Sequence, residues 1–371
     1  MEYDISYCIV CMNRAEHLKL TLPQNIKDNL HNNVEFVLLN YNSSDDLETW
    51  CQSEMPEYIE SGILKYFKTT DPAYFHRGHS RNMAFRLASG KIICNLDADN
   101  FLGKGFTEYV LAVFNEKEKI FIRGGGANNV ATYGRILFPS ETLPKLTGYD
   151  EFMEGYGAED DDFTYRLETA GYSPVYFRQM EFSNVLDHSN TSRVKEERYI
   201  KELHKIFLMK KSFYSSVVYY LFRDKSFILI NLNAGYENHF SDTQYGTIPI
   251  GSNDDIVCED VYDLRENSVK MSVENLECKD FYKRGFWKMI EDDYYLFDSD
   301  EMWIDTITKS NTYKEIQDLK RKQELVFCLT RCVNQLKLHE NYINKALDVN
   351  HNGFGNGRVY RNFSDEVIYL N

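Results

Sequence analysis

The chain has 371 residues, of which 43% are hydrophobic and 15% aromatic, and its formal net charge is −15. This content of core-forming residues excludes a disordered chain. The negative charge argues against a nucleic-acid-binding surface, which needs clustered Lys and Arg. The length favours one large domain followed by a smaller C-terminal unit.

The eight cysteines are scattered, and several lie in apolar runs such as residues 6–10 and 92–96, which favours buried, reduced thiols. Cys8 and Cys11 have a CxxC spacing, but no second pair is placed to complete a zinc site. The first strand begins almost at once, without a signal segment, and no run is apolar enough to span a bilayer. We therefore expect a cytoplasmic protein.

Short apolar strands alternate with helices along the first hundred residues. Strands are predicted at residues 5–10, 34–39, 63–67 and 91–96, and helices at 16–29 and 80–88. This alternation predicts a largely parallel sheet covered on both faces, with ligands at the carboxyl ends of its strands. Five polar residues fall at such ends and are expected to share one nucleotide crevice: Arg14, Asp45, Asp46, Asp97 and Asp99.

The later part of the chain has a different composition. A long helical stretch with basic residues is predicted at 194–222, strands at 227–232, 256–261 and 269–273, and a helix at 313–338. The glycine-rich residues 353–357 suggest a hairpin. Residues 210–230 mix basic and aromatic side chains, so they could touch membrane lipid, although a packed helix and strand is favoured. The expected domains are residues 1–210 and 211–371.

Two acidic motifs suggest chemistry. Asp97-Ala98-Asp99 follows a buried strand, and two carboxylates at that spacing suit a divalent cation and a ribose, with a solvated turn as the alternative. The tract from Glu159 to Asp162 opens a predicted helix at residues 161–170. Favourable interaction with the helix dipole explains one or two acids but not four, so a general base and a polyhydroxy ligand are indicated.

Three further features are less specific. Arg77, just before a helix, could bind a phosphate. Gly124-Gly125-Gly126 would let a ligand approach the backbone, but it has neither a dinucleotide-binding nor a P-loop spacing, and a plain turn explains it equally well. His188 in Asp187-His188-Ser189 is, by itself, more often a surface or core residue than a metal ligand.

In this order the motifs resemble those of the GT-A glycosyltransferases, in particular the β-1,4-galactosyltransferase-like branch with its galactosyltransferase C-terminal motif, and more loosely the bacterial family 2 enzymes. The resemblance spans roughly residues 5–199. It implies an α/β fold with a GT-A (Rossmann-like) nucleotide-sugar-binding sheet and a smaller α+β C-terminal region. That region has no counterpart in the resemblance, and it could serve the acceptor, a partner or the membrane face.

The resemblance also implies roles for individual residues. Asp160 is the catalytic base, because it directly follows the Glu of the family motif. The other implied contacts are to the acceptor (Glu159, Asp161 and Tyr156), the nucleotide (Arg14, Asp46, Arg77 and Asp97), the donor sugar (Gly125 and Gly126) and the metal (Asp99 and His188). Val185 stands where some members place a Met ligand, and because Val cannot coordinate, the preferred metal stays open between Mn²⁺ and Mg²⁺.

The implied activity is inverting, metal-dependent transfer of a hexose or N-acetylhexosamine from a UDP-sugar to a glycan or lipid-linked glycan, in surface polysaccharide synthesis. One alternative is a sugar nucleotidyltransferase, although Cys11-Met12-Asn13-Arg14 is not its glycine-rich loop. Another is a noncatalytic carbohydrate-binding protein with the same fold. Peripheral association with the inner face of the membrane and the oligomeric state stay open.

Overall fold

The computed structural model describes residues 3–30, 32–125, 132–177, 179–187, 190–210, 215–233, 282–308 and 313–371. These residues form two compact units. The first comprises Met1–Ser189 together with Glu340–Asn371, and the second comprises Asn190–His339. The bounds differ from the division predicted near residue 210, because the chain leaves the first unit earlier and returns to it after residue 339.

The first unit contains the strands expected from the apolar runs. In chain order they are β1 (Tyr3–Cys11), β2 (Val34–Tyr41), β3 (Leu64–Thr69), β4 (Gly90–Asn95), β5 (Ile120–Gly124), β6 (Ile136–Pro139) and β7 (Ser173–Phe177). Strand β1 pairs in parallel with β2 and β4, and β2 pairs in parallel with β3. Strand β6 runs antiparallel to β4 and β5.

Seven helices connect these strands: α1 (Ala15–Asn29), α2 (Leu47–Glu54), α3 (Pro56–Glu60), α4 (Arg77–Leu87), α5 (Phe106–Glu116), α6 (Leu143–Leu146) and α7 (Glu159–Thr169). They cover both faces of the sheet, which is why β2 is buried along its whole length. Alternate side chains of β1 enter two different cores: Tyr7 and Ile9 lie in one, and Cys8 lies in the other.

The second unit is an antiparallel sheet with one long helix. Its elements are α8 (Asn190–Val194), α9 (Arg198–Lys201), β8 (Leu203–Lys210), β9 (Ser215–Phe222), β10 (Ser226–Asn233), β11 (Tyr282–Ile290), β12 (Asp293–Phe297), β13 (Trp303–Ile307), β14 (Lys314–Ile316) and α10 (Leu319–Ile343). The strand order is β13-β12-β11-β10-β9-β8-β14. Its core includes Tyr219, Leu229, Trp287 and Leu296.

One sequence prediction for this unit is wrong, and another is confirmed with different bounds. The long helix predicted at residues 194–222 is replaced mainly by β8 and β9, because the run Val217-Val218-Tyr219-Tyr220 has the β-branched and aromatic side chains that favour strands. The helix predicted from residue 313 begins only at Leu319, after β14. The strands predicted at residues 256–261 and 269–273 lie outside the described residues.

After α10 the chain returns to the first unit. Strand β15 (Gly357–Arg361) pairs antiparallel with β3, and β16 (Val367–Leu370) pairs with β15. The completed nine-stranded sheet has the order β16-β15-β3-β2-β1-β4-β6-β5-β7. The predicted terminal hairpin is present, but residues 353–357 lead into it, and its turn lies between β15 and β16.

None of the helices in the described residues combines the length and the apolar character needed to cross a bilayer.

Candidate functional site

The loops after β1 and β2 are joined by a carboxylate. Asp45 Oδ2 accepts a hydrogen bond of 2.9 Å from the Ala15 amide at the start of α1, and Asp45 Oδ1 accepts one of 3.2 Å from the Leu47 amide. Arg14 occupies the N-cap position of α1. Asp46 forms an ion pair with Lys19, and its side chain is 66% exposed. Both predicted nucleotide contacts therefore lie at the carboxyl edge of the sheet.

Arg77 begins α4 and lies beside the acidic tract. Its guanidinium carbon is 4.7 Å from the ring centroid of Tyr156 and 5.4 Å from that of Phe75. Its Nε atom is 3.9 Å from Glu159 Oε1, and the residue is buried. The side chains predicted to contact nucleotide and acceptor, Arg77 and Tyr156, thus meet in one cation–π contact.

Arg81 is the centre of the site. This buried side chain lies one helical turn after Arg77, and its Nη2 atom is 3.2 Å from Asp97 Oδ1. Its Nη1 atom is 3.0 Å from Asp160 Oδ1 and 3.5 Å from Glu159 Oε1. One guanidinium therefore joins the Asp97 motif to the acidic tract. Arg81 was not singled out from the sequence, although its i,i+4 spacing from Arg77 places both on one helix face.

Asp160 is held through one oxygen. Oδ1 accepts hydrogen bonds from Arg81 Nη1 at 3.0 Å and from the Tyr149 hydroxyl at 2.8 Å. Oδ2 faces Gly134, where an added Cβ would lie 3.1 Å from Asp160 Oδ2 and 3.2 Å from Asp97 Oδ2. Because Gly134 has no side chain, its backbone can lie close to both carboxylates. Tyr149 and Gly134 were also missed from the sequence.

The glycines singled out from the sequence have other neighbours. An added Cβ at Gly124 would collide with the Thr132 carbonyl, and one at Gly125 would lie nearest Tyr176 and Tyr133. Gly126 lies outside the described residues. The glycine that approaches both carboxylates is Gly134.

The remaining acids of the tract have separate partners. Asp161 Oδ1 is 2.9 Å from Arg123 Nη2, and Arg123 also lies over the Tyr133 ring. Asp162 is fully buried, and its Oδ2 atom is 2.7 Å from Arg166 Nε. Four successive acids are tolerated at the start of α7 because arginines lie beside them, some from neighbouring elements and Arg166 from α7 itself.

Glu159 has an unusual protonation equilibrium. Burial, followed by the neighbouring Asp160 charge, raises the pKa of the Glu159 carboxyl to about 7, although Arg81 and Arg77 act in the opposite direction. Its Oε2 atom accepts a hydrogen bond of 2.8 Å from the Gly157 amide. The carboxyl group thus retains its proton to much higher pH than an exposed Glu does.

The metal prediction depends on two residues, of which the structure describes one. Asp99 follows β4; its carbonyl oxygen accepts a hydrogen bond of 2.9 Å from the Leu186 amide, and its Oδ1 accepts one of 2.8 Å from Asn100 Nδ2. A partly exposed carboxylate of this kind fits a hard cation. His188 lies outside the described residues, and within the described ranges no three His, Cys, Asp or Glu side chains form a group that could hold a metal ion.

The cysteines of β1 agree with the sequence prediction. Cys8 and Cys11 are free and buried. Burial raises the pKa of the Cys11 thiol to about 12. Both thiols therefore belong to the core of the first unit.

Two ranges of the chain match glycosyltransferase families. Residues 6–166 match the family described as Glycosyl transferase family 2, and residues 124–211 match the family described as N-terminal domain of galactosyltransferase. The α/β fold class that the motifs predicted is confirmed by the largely parallel sheet of the first unit. The two matched ranges together include Arg81, Asp97, Gly134 and Asp160. No curated protein sequence matches the chain.

Several solved structures are similar to parts of the chain. S. aureus TarS 1–349 is 15% identical, with a TM-score of 0.38, over 46% of this chain and 58% of that one. The catalytic domain of Drosophila beta1,4galactosyltransferase 7, in complex with xylobiose, is 16% identical, with a TM-score of 0.38, over 53% and 75%. Glucosyl-3-phosphoglycerate synthase from Mycobacterium tuberculosis, with Mn²⁺, UDP and phosphoglyceric acid, is 15% identical, with a TM-score of 0.38, over 50% and 72%.

The chain spans less than two thirds of the length of the TarS structure.

Proposed function

We propose that the protein is an inverting glycosyltransferase that moves a hexose or N-acetylhexosamine from a UDP-sugar to a hydroxyl of a glycan or lipid-linked glycan. The observation that carries the proposal is the Arg81 bridge, which holds Asp97 and Asp160 on either side of Gly134. A donor on the Asp97 side and an acceptor beside Asp160 would meet next to Gly134. The family matches over residues 6–166 and 124–211 support the same class of reaction.

Asp160 is the proposed base. Its Oδ1 is fixed by Arg81 and Tyr149, so Oδ2 is the atom that receives the proton of the attacking acceptor hydroxyl. As that hydroxyl oxygen bonds to the anomeric carbon from the opposite face, the bond between this carbon and the UDP oxygen breaks. The configuration inverts, and the proton ends on Asp160.

The other acids have supporting roles in this proposal. Asp161, whose side chain is a quarter exposed, and Tyr156 contact the acceptor. The burial of Glu159 favours a role in holding Arg77 and Arg81 over direct contact with the acceptor. Arg14, Asp46, Arg77 and Asp97 would contact the nucleotide, and Gly125, Gly126 and Gly134 would lie by the donor sugar.

A divalent cation, Mn²⁺ or Mg²⁺, would be held by Asp99 and His188 and would neutralise charge on the departing diphosphate. We place the reaction in surface polysaccharide synthesis, at a cytoplasmic location.

The first test is Asp160→Asn, assayed by UDP release from a panel of UDP-sugars with a glycan acceptor. Loss of the base is expected to lower turnover by about 10²- to 10⁴-fold, while UDP affinity changes little. Asp161→Asn is the matched control on the same helical turn, and a smaller loss is expected because Asp161 takes no proton. Wild-type turnover in Asp160→Asn would refute the assignment of the base.

The same assay separates the alternative activities. A sugar nucleotidyltransferase would form pyrophosphate from a nucleoside triphosphate and a sugar phosphate. A carbohydrate-binding protein would release no nucleotide from any donor. Either result, in the absence of UDP release by the wild type, would overturn the proposed transfer reaction.

Metal dependence is tested by Asp99→Ala and by chelation. We expect EDTA to weaken UDP binding to the wild type, and added Mn²⁺ to restore it. In Asp99→Ala the restoration should be lost, because the proposed carboxylate ligand is gone. Isothermal titration with UDP, with and without Mn²⁺, measures the difference; equal Mn²⁺ enhancement in variant and wild type would contradict the role of Asp99.

A further inference from the structure

The residues that follow position 339 form hydrogen bonds with the loop before α7 and with Asp162 in the acidic tract. We call residues 340–371 the return segment. It lies beyond both family matches, which end at residues 166 and 211. It contributes β15 and β16 to the sheet, and several of its residues, among them Asn341, Asn350 and Gly355, form hydrogen bonds around the loop that precedes α7. That loop, residues 147–158, leads directly to Asp160.

Asn341 joins two buried carboxylates. It lies in the last turn of α10, and its Nδ2 atom donates one hydrogen bond of 2.8 Å to Asp150 Oδ2 and another of 2.8 Å to Asp162 Oδ1. Both carboxylates are at most 1% exposed. Because a primary amide carries two N–H groups, one side chain serves both acids and ties the loop before α7 to the first turn of α7.

Arg166 completes this connection from within α7. Its Nε atom donates to Asp162 Oδ2, and its two terminal nitrogens donate to the Leu146 and Gly148 carbonyl oxygens at 2.8 Å. Asp162 is therefore shared by Arg166 and Asn341. Its buried contacts fix the orientation of the helical turn that carries Asp160.

Asn350 uses its whole amide group on the loop backbone. Its Nδ2 atom donates hydrogen bonds of 2.7 Å to the Thr147 and Tyr149 carbonyl oxygens, and its Oδ1 atom accepts one of 3.0 Å from the Glu151 amide. Tyr149 lies at the centre of this contact, and its hydroxyl donates to Asp160 Oδ1. Asn350 thereby fixes the backbone of a direct partner of Asp160.

Gly355 links the same loop to α4. Its amide donates a hydrogen bond of 2.6 Å to Glu151 Oε1, which also accepts one of 2.8 Å from Asn82 Nδ2. Gly355 has a φ of +57°, and an added Cβ would lie 2.6 Å from the Met83 amide nitrogen and from the Asn82 carbonyl carbon. No side chain fits there. The return segment therefore contacts the helix of Arg81 as well as the loop before Asp160.

We propose that Asn341, Asn350 and Gly355 are positioning residues for Asp160, so that the return segment completes the acceptor side of the site. This inference rests on the proposed transferase function. The residues act through Asp162, Tyr149 and Glu151, and none of them touches Asp160 directly. Their loss should affect the use of the acceptor more than the binding of UDP.

The first experiment is independent of activity. Hydrogen–deuterium exchange is compared for full-length wild type, Asn341→Ala and Asn350→Ala, with the exposed neighbours Asn344→Ala and Asn352→Ala as matched controls. We expect at least about tenfold faster exchange across residues 147–162 in the first two variants, and wild-type rates in the controls. Unchanged exchange in this loop would overturn the proposal.

The second experiment measures turnover with acceptor varied at saturating donor. We expect kcat/KM for the acceptor to fall by about 10- to 100-fold in Asn341→Ala and Asn350→Ala, with the Kd for UDP within about twofold of wild type. Enzyme concentrations are normalised to the number of UDP-binding sites, so misfolded protein does not lower the measured kcat/KM. A parallel loss of UDP affinity, or an unchanged acceptor kcat/KM, would refute a positioning role.

Asn341→Asp and the glycine pair extend the test. Asn341→Asp keeps the shape but replaces the shared donor by an acceptor, so the same loss of acceptor kcat/KM is expected, and wild-type kinetics would contradict the proposal. Gly355→Ala should also lower kcat/KM for the acceptor. Gly353→Ala should leave it unchanged, because Gly353 has a positive φ but an added Cβ there would meet only the Asn356 side chain. Absence of UDP release by the wild type would refute the proposed function, while the exchange experiment would still test the return segment.

Discussion

Glu159 is a buried acid beside two arginines and two other carboxylates. Arg77 and Arg81 provide two positive charges, while Asp97, Asp160 and Glu159 provide three negative charges when all are ionised. A proton on Glu159 balances this group. Burial and the Asp160 charge raise its pKa to about 7, which keeps that proton in place up to neutral pH.

This balance predicts a pH effect on stability. In the unfolded chain Glu159 has its ordinary pKa of 4.5, so between this value and about 7 the unfolded chain loses a proton that the folded protein retains. Glu159 therefore lowers the free energy of unfolding as the pH rises through this window. Between about pH 5 and about pH 8, the free energy of unfolding should therefore fall less in Glu159→Gln than in wild type. The difference between the two falls should be on the order of 2 kcal/mol.

Urea unfolding at both pH values measures this difference. Glu168→Gln, at an exposed position of α7, is the control and should follow the wild type. An identical pH dependence in Glu159→Gln and wild type would show that Glu159 ionises normally.

Arg81 should tolerate neither a smaller cation nor a neutral replacement. Arg81→Lys keeps the charge, but an ammonium group lacks the fork that reaches Asp97 and Asp160 together, so a fall in turnover of about 10- to 100-fold is expected. Arg81→Met leaves its partner carboxylates uncompensated, and we expect it to lower the free energy of unfolding by about 3–5 kcal/mol. Turnover and urea unfolding of both variants check this, and a stable, fully active Arg81→Met would contradict the central role.

The sequence revealed these residues unequally. Asp97 and Asp160 stand in short acidic motifs, so they could be proposed as candidate site residues without a structure. Arg81, Tyr149 and Gly134 stand out only through their contacts in the folded protein. The Arg81 guanidinium and the Tyr149 hydroxyl donate to one oxygen of Asp160, and the Gly134 backbone lies close to two carboxylates. Only Arg81 had a usable signal, its helical spacing from Arg77.

The segment that leads into β6 contains Gly134, which lies close to both Asp97 and Asp160. Gly134→Ala would place a methyl group 3.1–3.2 Å from Asp160 Oδ2 and Asp97 Oδ2. We expect turnover to fall by at least about tenfold with little change in the melting temperature, because the methyl group enters the substrate space.

The comparison for this substitution is Gly105→Ala. Gly105 has a φ of +84°, and an added Cβ meets nothing within 4 Å. We expect a loss of about 1 kcal/mol of stability from backbone strain and no change in turnover. Full turnover in Gly134→Ala would show that substrate does not lie next to Gly134.

Strands and helices were predicted correctly where the local sequence pattern is distinctive. Strands β1 to β4 were found within a few residues, because compact apolar runs end in polar turn residues. Residues 203–222 were read as helix because their basic residues suggested a solvated helical face, yet they pair as β8 and β9. Their strand conformation depends on neighbours such as β10 and β14, which no local window contains.

At the scale of the molecule, the first unit is built from two separate stretches of sequence. Composition alone suggested a single boundary near residue 210, and nothing local signals that residues 340–371 rejoin the first sheet. The pairing of β15 with β3 is a contact between residues nearly 300 positions apart. No local periodicity in the sequence indicates that two segments so far apart pair with each other.

A chain that stops after residue 339 should lose the fold of the first unit. It lacks β15 and β16, and the buried Asp150, Asp162 and Arg166 lose partners. We expect UDP binding to disappear and amide exchange in β1 to β4 to rise to near-unprotected rates, while β8 to β10 serve as the internal reference. Wild-type UDP affinity in the shortened chain would contradict this prediction.

The return of residues 340–371 also sets an order of events during synthesis. A ribosome that adds about 5–20 residues per second needs roughly 10–40 s to make the remainder of the chain after residue 189. During that interval the exposed edge of β3 has no partner strand, so it is a natural target for chaperones. Until residues 340–371 have joined the first unit, the loop before α7 also lacks the contacts of Asn341, Asn350 and Gly355, so the edge of the sheet and the acceptor side of the proposed site are completed together.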